Sequence, residues 1–290
     1  MTMSELKVGF VGLGAMGLAM AGHLKRVGLL AAVANRSPAK AQAFAAEHAS
    51  VAALPAELAK ICDVIVLCVT ADADVLAVTR EIASNAKPGT IVIDHSTVSS
   101  ETAKQAHAMM LAAGGDFLDA PVSGGVEGAK NGKLSIMVGG DAATLARVQP
   151  ALDAYGARTT RMGGVGAGQN TKAVNQVLIA GIAQGVCEGL ALGEALGLDK
   201  ETLLPTLMSG AANAWFLEKR GATMLRNEFS VGFKLALLHK DLGIVRDLAE
   251  AAGTDRSVIE KSLGDYAALM AQGHGDDDIS ALIRLKRRKT

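Results

Sequence analysis

Aromatic residues are scarce in this 290-residue chain: six Phe, two Tyr and one Trp make up 3% of it, although half of all residues are hydrophobic. Ala, Val, Leu and Gly supply the apolar bulk, a composition suited to closely packed helices and a buried parallel sheet and opposed to disorder. Cysteine is nearly missing. Cys62, Cys68 and Cys187 lie in apolar surroundings without metal-ligand spacing, which fits reduced thiols used as small core residues rather than a metal site. No metal is expected, and a cytoplasmic setting is. Neither sign of charge prevails, since Lys plus Arg and Asp plus Glu both stand at 29. That balance leaves no broad footprint for nucleic acid or an anionic membrane, and the basic run Arg284 to Lys289 reads as a solvated tail. A leader segment is not visible either: MTMSELKVGFVGLG enters a predicted strand by about Leu6, leaving no room for a charged region and a long apolar stretch. Ala173 to Leu196 is long and apolar but carries Asn175, Gln176, Gln184, Glu188 and Glu194. It is therefore predicted as a buried helix rather than a membrane span.

What is present is alternation. Between Leu6 and Arg161 the apolar runs KVGFVG, LLAAVAN, DVIVLCV, TIVIDHS, DFLDAPV and LSIMVG separate helical patterns such as Met16 to Val27 and Pro38 to Glu47. Such alternation predicts βαβ units, hence an α/β domain built on a mainly parallel sheet. After Gly168 only helical patterns remain, broken at Gly197, Gly210, Gly253 and Gly275, so an all-helical domain should follow. The length also suits two domains. The glycine-rich GGVGAGQ at Gly163 to Gln169 marks the boundary, giving domains 1–165 and 166–290. In the first long helix of the second domain, Gly181, Gly185, Gly189 and Gly193 recur every four residues. Each costs roughly 0.8–1 kcal/mol of helix stability relative to alanine, so close packing against another helix should offset them. Interdomain or subunit packing is the first reading of that face, and a ligand groove the second.

Gly12-Leu13-Gly14-Ala15-Met16-Gly17 forms G-x-G-x-x-G directly after the first predicted strand and before a helix, the context of a dinucleotide fingerprint. Glycine permits the tight turn, and the helix amino terminus favours the pyrophosphate charge. The second strand ends in Asn35-Arg36-Ser37, where a carboxylate for the ribose hydroxyls of NAD is absent. Arg36 can pair with a 2′-phosphate and Asn35 and Ser37 can add hydrogen bonds, so NADP is favoured and NAD remains possible. Otherwise Arg36 is a surface arginine at a strand end. Val69-Thr70 and Ser96-Thr97 end further strands and should face the same crevice, although either threonine can instead cap the next helix.

A second glycine-rich stretch, DAPVSGGVEGAKNGKLSIMVGG, begins at Asp119. Ser123-Gly124-Gly125 follows a strand end and can present backbone N–H groups to an anion such as a carboxylate, or its glycines serve backbone geometry alone. Lys172, Asn175 and Gln176 in GAGQNTKAVNQV share a helical face. A lysine near a helix start can give a proton to a carbonyl oxygen as hydride arrives and withdraw it in reverse, or it is an exposed lysine at a helix end. Lys240 in FKLALLHKDLGIV lies on the predicted stripe of Phe233, Leu237 and Ile244, where a charge needs a partner or a route to solvent. Its neighbour Asp241 is expected to point elsewhere.

Together GFVGLGAMGLAMAGHL, DHST, DAPVSGGVEGAKNGKLSIMVGG, GAGQNTKAVNQ and FKLALLHKDL resemble the β-hydroxyacid dehydrogenase family, which includes 3-hydroxyisobutyrate dehydrogenase and tartronate semialdehyde reductase. The resemblance implies a Rossmann domain, a helical domain, an active site in the cleft between them, and a homodimer or homotetramer joined through the long helix. It implies Lys172 as the catalytic lysine, Asn175 and Gln176 as its polar support, and Ser123, Gly124 and Gly125 as the loop for the substrate carboxylate. Lys240 would stand near nicotinamide and substrate, and Thr97 near the cofactor. Gln176 departs from the Asn of some members, and Val69-Thr70 from a common Leu-Pro. Asp278-Ile279-Ser280-Ala281 resembles a tail motif of the family. Asn213 and Trp215 are candidates for shaping the substrate pocket, with Trp215 more often core on burial grounds.

The implied activity is NADP(H)-dependent, reversible hydride transfer between a short 3-hydroxy acid and its semialdehyde. Glyoxylate or succinic semialdehyde reduction, a 6-phosphogluconate dehydrogenase, an imine reductase and a noncatalytic NADP-binding module are the alternatives. The last follows from the reuse of such folds without turnover.

Overall fold

A computed structural model describes residues 6–48, 50–230 and 232–287. The end of the basic tail, Arg288 and Lys289, lies outside them. The chain forms two compact units, Met1–Lys172 and Ala173–Thr290.

Among the described residues of the first unit, nine strands make one sheet: β1 (Val8–Val11), β2 (Leu30–Ala34), β3 (Val51–Ala52), β4 (Val64–Leu67), β5 (Ile91–Asp94), β6 (Asp116–Asp119), β7 (Val122–Ser123), β8 (Leu134–Gly139) and β9 (Gly156–Gly163). Their order is β3-β2-β1-β4-β5-β6-β8-β7, with β9 also on β8. Pairing is parallel from β3 through β6 and antiparallel where β8 meets β6 and β7. The opening 3-2-1-4-5-6 order is that of a Rossmann sheet, which reverses direction beside β1 and binds ligands outside the carboxyl ends of its strands.

Strands buried on both faces need unbroken apolar sequence, and β1, β4 and β5 read VGFV, VIVL and IVID. Period-two alternation sends Phe10, Val64, Val66 and Ile93 to one core and Val11, Ile65, Leu67 and Val92 to the other. All six predicted apolar runs are strands. Three strands escape the pattern: β3 and β7 have two residues each. The third, β9, reads GARTTRMG and is largely exposed at the sheet margin, so no apolar run announces it.

The second unit is helical, with helices Lys200–Met208, Trp215–Leu225, Leu235–Ala252 and Ser257–Ala271 beside the long helix Ala167–Ala195, which begins in the first unit. Ala180, Ala183, Cys187, Leu217, Met224, Leu238, Leu242 and Tyr266 form its core. Gly253, at φ 68°, ends Leu235–Ala252 in the left-handed conformation, which costs glycine little.

The long helix departs from two expectations. It is long and apolar enough to cross a membrane, and the buried-helix expectation holds for one face only: Ala180, Ala183, Cys187 and Leu190 are buried, whereas Val174, Leu178, Ile182 and Leu192 are exposed. Its glycines are also not one uniformly packed face. A Cβ at Gly181 would touch Val258 at 3.6 Å and one at Gly193 would press on Leu203 at 2.6 Å, whereas Gly185 and Gly189 have nothing within 4 Å. Among the described residues, only the ends of the stripe are covered.

Candidate active site

The first glycine loop divides its work in three. Gly12 has φ 98°, and a Cβ there would lie 2.2 Å from the Cys68 carbonyl oxygen. At Gly17 a Cβ would lie 1.9 Å from the Gly12 carbonyl oxygen, so only glycine lets the helix Ala15–Arg26 sit this close to the turn. Gly14 has nothing within 4 Å of its Cβ position. That opening stands at the amino end of a helix whose first N–H groups lack intrahelical partners, the geometry a pyrophosphate requires. Gly17→Ala is expected to weaken binding of the nicotinamide dinucleotide by at least about tenfold, because the added methyl collides with backbone. Fluorescence titration with NADPH checks this, and unchanged affinity would contradict it.

Two candidate cofactor residues, Leu13 of this loop and Asn35 after β2, are used inside the protein. The Leu13 side chain is fully buried, and its N–H donates to Asn35 Oδ1 at 2.9 Å. Asn35 Nδ2 donates to the Ser37 carbonyl at 3.1 Å, so Asn35 ties the loop to the end of β2 rather than reaching outward. Arg36 has 89% of its side chain exposed and stands 3.9 Å from Asp74. Ala15, Ser37 and Thr70 are exposed and Met16 and Thr97 half-buried. The Val69 N–H donates to Ser96 Oγ at 2.9 Å.

The second loop is built on β7. Gly124, at φ 129°, and Gly125, at φ 61°, both take backbone forms that favour glycine, and Gly124 caps the short helix Gly125–Lys130. Lys172 is buried, and its Nζ donates to the Val122 carbonyl at 2.9 Å. Thus the lysine is joined directly to the strand that carries Ser123, and the exposed-lysine reading does not survive.

The ends of two neighbouring strands carry a buried polar layer, of which the sequence reading singled out only Ser96, as a strand end facing the crevice. Asp94, His95 and Ser96 follow from the end of β5, and Asp119 ends β6 beside Asp94. Ser96 N–H donates to Asp94 Oδ1 at 2.9 Å, and Gln169 Nε2 donates to the Ser96 carbonyl at 2.8 Å. Burial pushes the Asp94 carboxyl up to about 7, opposed by its bonds from Ser96 and assisted by Asp119 and Asp72. His95 Nδ1 lies 2.6 Å from the Ala120 carbonyl and Nε2 2.8 Å from the Tyr155 hydroxyl, and burial lowers its pKa to about 4. The available signal was an acidic residue ending an otherwise apolar strand, in TIVID and in DFLD.

In the second unit, Gln176, fully buried, donates to Asp241 Oδ2 at 2.7 Å and accepts from Asn175 Nδ2 at 2.8 Å. Lys240 Nζ lies 2.9 Å from Asp241 Oδ1. Asp241 therefore does not point away from Lys240: a lysine stem is long enough to fold back onto the adjacent residue, and the buried carboxylate needs a counter-charge. Phe233 precedes the helix Leu235–Ala252 and is not part of its stripe. Trp215 is 52% exposed, so its burial expectation fails; it begins its helix with the Arg220 guanidinium 5.9 Å from its ring. Asn213 is bonded to Glu218 at 2.7 Å. The tail motif acts on backbone: Asp278 Oδ2 accepts from the N–H groups of Gly232 and Phe233 at 2.9 Å each and pairs with Arg220 at 3.4 Å. It fixes the entry to the helix that carries Lys240. No cluster of metal-ligating side chains occurs among the described residues.

Comparisons with known proteins agree along the whole chain. Residues 7–164 match the NAD binding domain of 6-phosphogluconate dehydrogenase, and residues 166–286 match the NAD-binding domain of NADP-dependent 3-hydroxyisobutyrate dehydrogenase. 2-Hydroxy-3-oxopropionate reductase of Escherichia coli is 34% identical over 286 residues, 96% of either chain. NAD-dependent L-serine dehydrogenase of Pseudomonas aeruginosa is 32% identical, over 96% of this chain and 97% of that one. A solved structure of Mycobacterium tuberculosis 3-hydroxyisobutyrate dehydrogenase with L-serine is similar at a TM-score of 0.89, with 32% identity over 98% of this chain and 99% of that one.

Proposed function

The chain belongs to the β-hydroxyacid dehydrogenase family, of the 3-hydroxyisobutyrate dehydrogenase and tartronate semialdehyde reductase type, and from that premise we propose that it interconverts a short 3-hydroxy acid and its semialdehyde with NADP(H). The protein is a nicotinamide-dependent hydroxyacid dehydrogenase. One observation carries the assignment of residues, the 2.9 Å bond from Lys172 Nζ to the Val122 carbonyl, which puts a buried ammonium next to the Ser123–Gly125 turn. Backbone N–H groups of that turn hold the substrate carboxylate. The nicotinamide, when bound, gives or takes the hydride. Lys172 gives a proton to the oxygen on which charge develops in reduction and takes it back in oxidation. Within the second unit, Asp241 holds Gln176 and Lys240, and Gln176 holds Asn175, the polar residues to which the family resemblance assigns substrate contacts. Trp215, 52% exposed beside Arg220, is the candidate for shaping the pocket of the substrate's substituent.

The preference for NADP rests on Arg36, a guanidinium exposed at the end of β2, because a planar fork suits a phosphate dianion. Among the relatives, one carries NAD in its name and one family description names NADP. For assembly, the open glycines Gly185 and Gly189 and the exposed Val174, Leu178, Ile182 and Leu192 support a subunit contact through the long helix.

One steady-state panel tests this reading, pairing tartronate, methylmalonate and succinic semialdehydes and glyoxylate with each cofactor. The first two place one carbon between carboxylate and carbonyl and should show the highest kcat/KM. NADPH should exceed NADH by at least about tenfold, and Arg36→Ala should remove most of that margin. A preference for NADH, or for glyoxylate, would contradict the corresponding half of the proposal.

A further inference from the structure

The helix bearing Lys172 starts on a carboxylate from elsewhere in the sheet. Asp119, at the end of β6, is fully buried. Its Oδ1 accepts from the Gly166 N–H at 2.7 Å, its Oδ2 from the Gln169 N–H at 2.9 Å, and the Gly168 N–H bonds to it as well. These are first-turn donors of the helix Ala167–Ala195 that have no intrahelical partner, and a negative group there also meets the positive end of the helix. The approach is possible because two side chains are missing. A Cβ at Gly168 would lie 2.5 Å from the Met137 carbonyl oxygen and 2.6 Å from that of Asp119, and one at Gly139, the β8 residue paired with Asp119, would lie 2.4 Å from Asp119 Oδ1. The same strand end leads directly through Ala120 and Pro121 to Val122, whose carbonyl receives Lys172 Nζ. One residue thus grips the helix three positions before Lys172 while its own strand supplies the carbonyl on which Lys172 rests.

We infer that Asp119 is a positioning residue, which fixes Lys172 relative to the Ser123–Gly125 turn by holding the first turn of its helix. The inference rests on the proposed role of Lys172. Asp119→Asn keeps the size of the side chain but loses the charge and turns an NH₂ group toward N–H donors that one carboxylate oxygen accepted from, so the helix start should loosen and the ammonium should shift. A displacement of about 1 Å at a reacting group can cost about a hundredfold in rate.

The test is a double-mutant cycle with Lys172→Ala, read by kcat on the best semialdehyde of the panel, by NADPH affinity, and by hydrogen exchange of segment 164–172. Asp119→Asn alone should lower kcat by at least about tenfold, leave NADPH affinity within about twofold, and raise exchange of the segment by at least about tenfold. In the Lys172→Ala background it should change the residual kcat by less than about twofold, because residues acting as a unit are not additive. Unchanged exchange in 164–172, unchanged kcat, or an equal loss of kcat in both backgrounds would overturn the role of Asp119. Near-normal turnover of Lys172→Ala would instead overturn the lysine assignment, a failure recognisable from that single variant, and the positioning role would fall with it.

Discussion

Lys172→Ala is expected to lower kcat by about 10²- to 10⁴-fold, the range for removing a positioned general acid–base, with NADPH affinity changed by less than about twofold. The dinucleotide loop Gly12–Gly17 and the lysine belong to separate segments of the first unit, so truncating Lys172 should leave the turn at Gly12 and the packing at Gly17 as they are. What is lost is the cation bonded to the Val122 carbonyl. A second variant separates charge from proton transfer. Arginine keeps a positive charge but does not give up its proton near neutral pH, so Lys172→Arg should stay within about tenfold of the alanine variant rather than recover. Single-turnover NADPH oxidation, read with both variants, excludes product release as the affected step. A kcat for Lys172→Ala within about threefold of the parent would end the assignment.

The architecture was legible because its central strands are uninterrupted apolar runs. VGFV, VIVL and IVID admit one reading, and the glycines between β1 and its helix make a fingerprint whose steric reasons the structure supplies at Gly12 and Gly17. β9 was not legible, since Arg158, Thr159, Thr160 and Arg161 look like a loop until β8 gives them a partner. For the site, the pattern singled out Lys172 and Ser123 but not what joins them, because the Val122 carbonyl is a backbone atom without a sequence signature. Asp119, Gln169 and Asp241 were missed or misdirected for a related reason. Each is buried and acts on a group far along the chain, Gly166 from Asp119, Ser96 from Gln169 and Gln176 from Asp241. Helical or strand periodicity reports neighbours within about one element, so partners 47 to 73 residues away leave no periodic trace.

The buried pair Asp94 and His95 should give the protein two opposed pH dependences of stability that single substitutions expose. Desolvation lifts Asp94 from 3.8 to about 7, so across that window the folded chain holds a proton that the unfolded chain has released. Stability therefore falls as pH rises from about 4 to about 7, by about 4 kcal/mol in all. His95 runs the other way. Burial lowers it from 6.5 to about 4, so the unfolded chain binds a proton that the folded chain refuses, and stability falls as pH drops through that window by about 3 kcal/mol. Between about pH 4 and 6.5 the two slopes nearly cancel. Asp94→Asn keeps an oxygen to accept the Ser96 N–H and removes the ionisation. Its new amide costs about 1–3 kcal/mol if the NH₂ stays unpaired, at every pH alike, which makes the change with pH the informative quantity. Measured by urea unfolding between pH 4.5 and 8, the stability of Asp94→Asn relative to the parent should rise with pH by about 3 kcal/mol, most of it gained by pH 7. His95→Gln should show the mirror image, gaining on the parent as pH falls below 6.5. Parallel curves for parent and Asp94→Asn would mean that Asp94 titrates in the folded protein as it does in the unfolded chain, and that its burial beside Asp119 and Asp72 imposes no cost of ionisation.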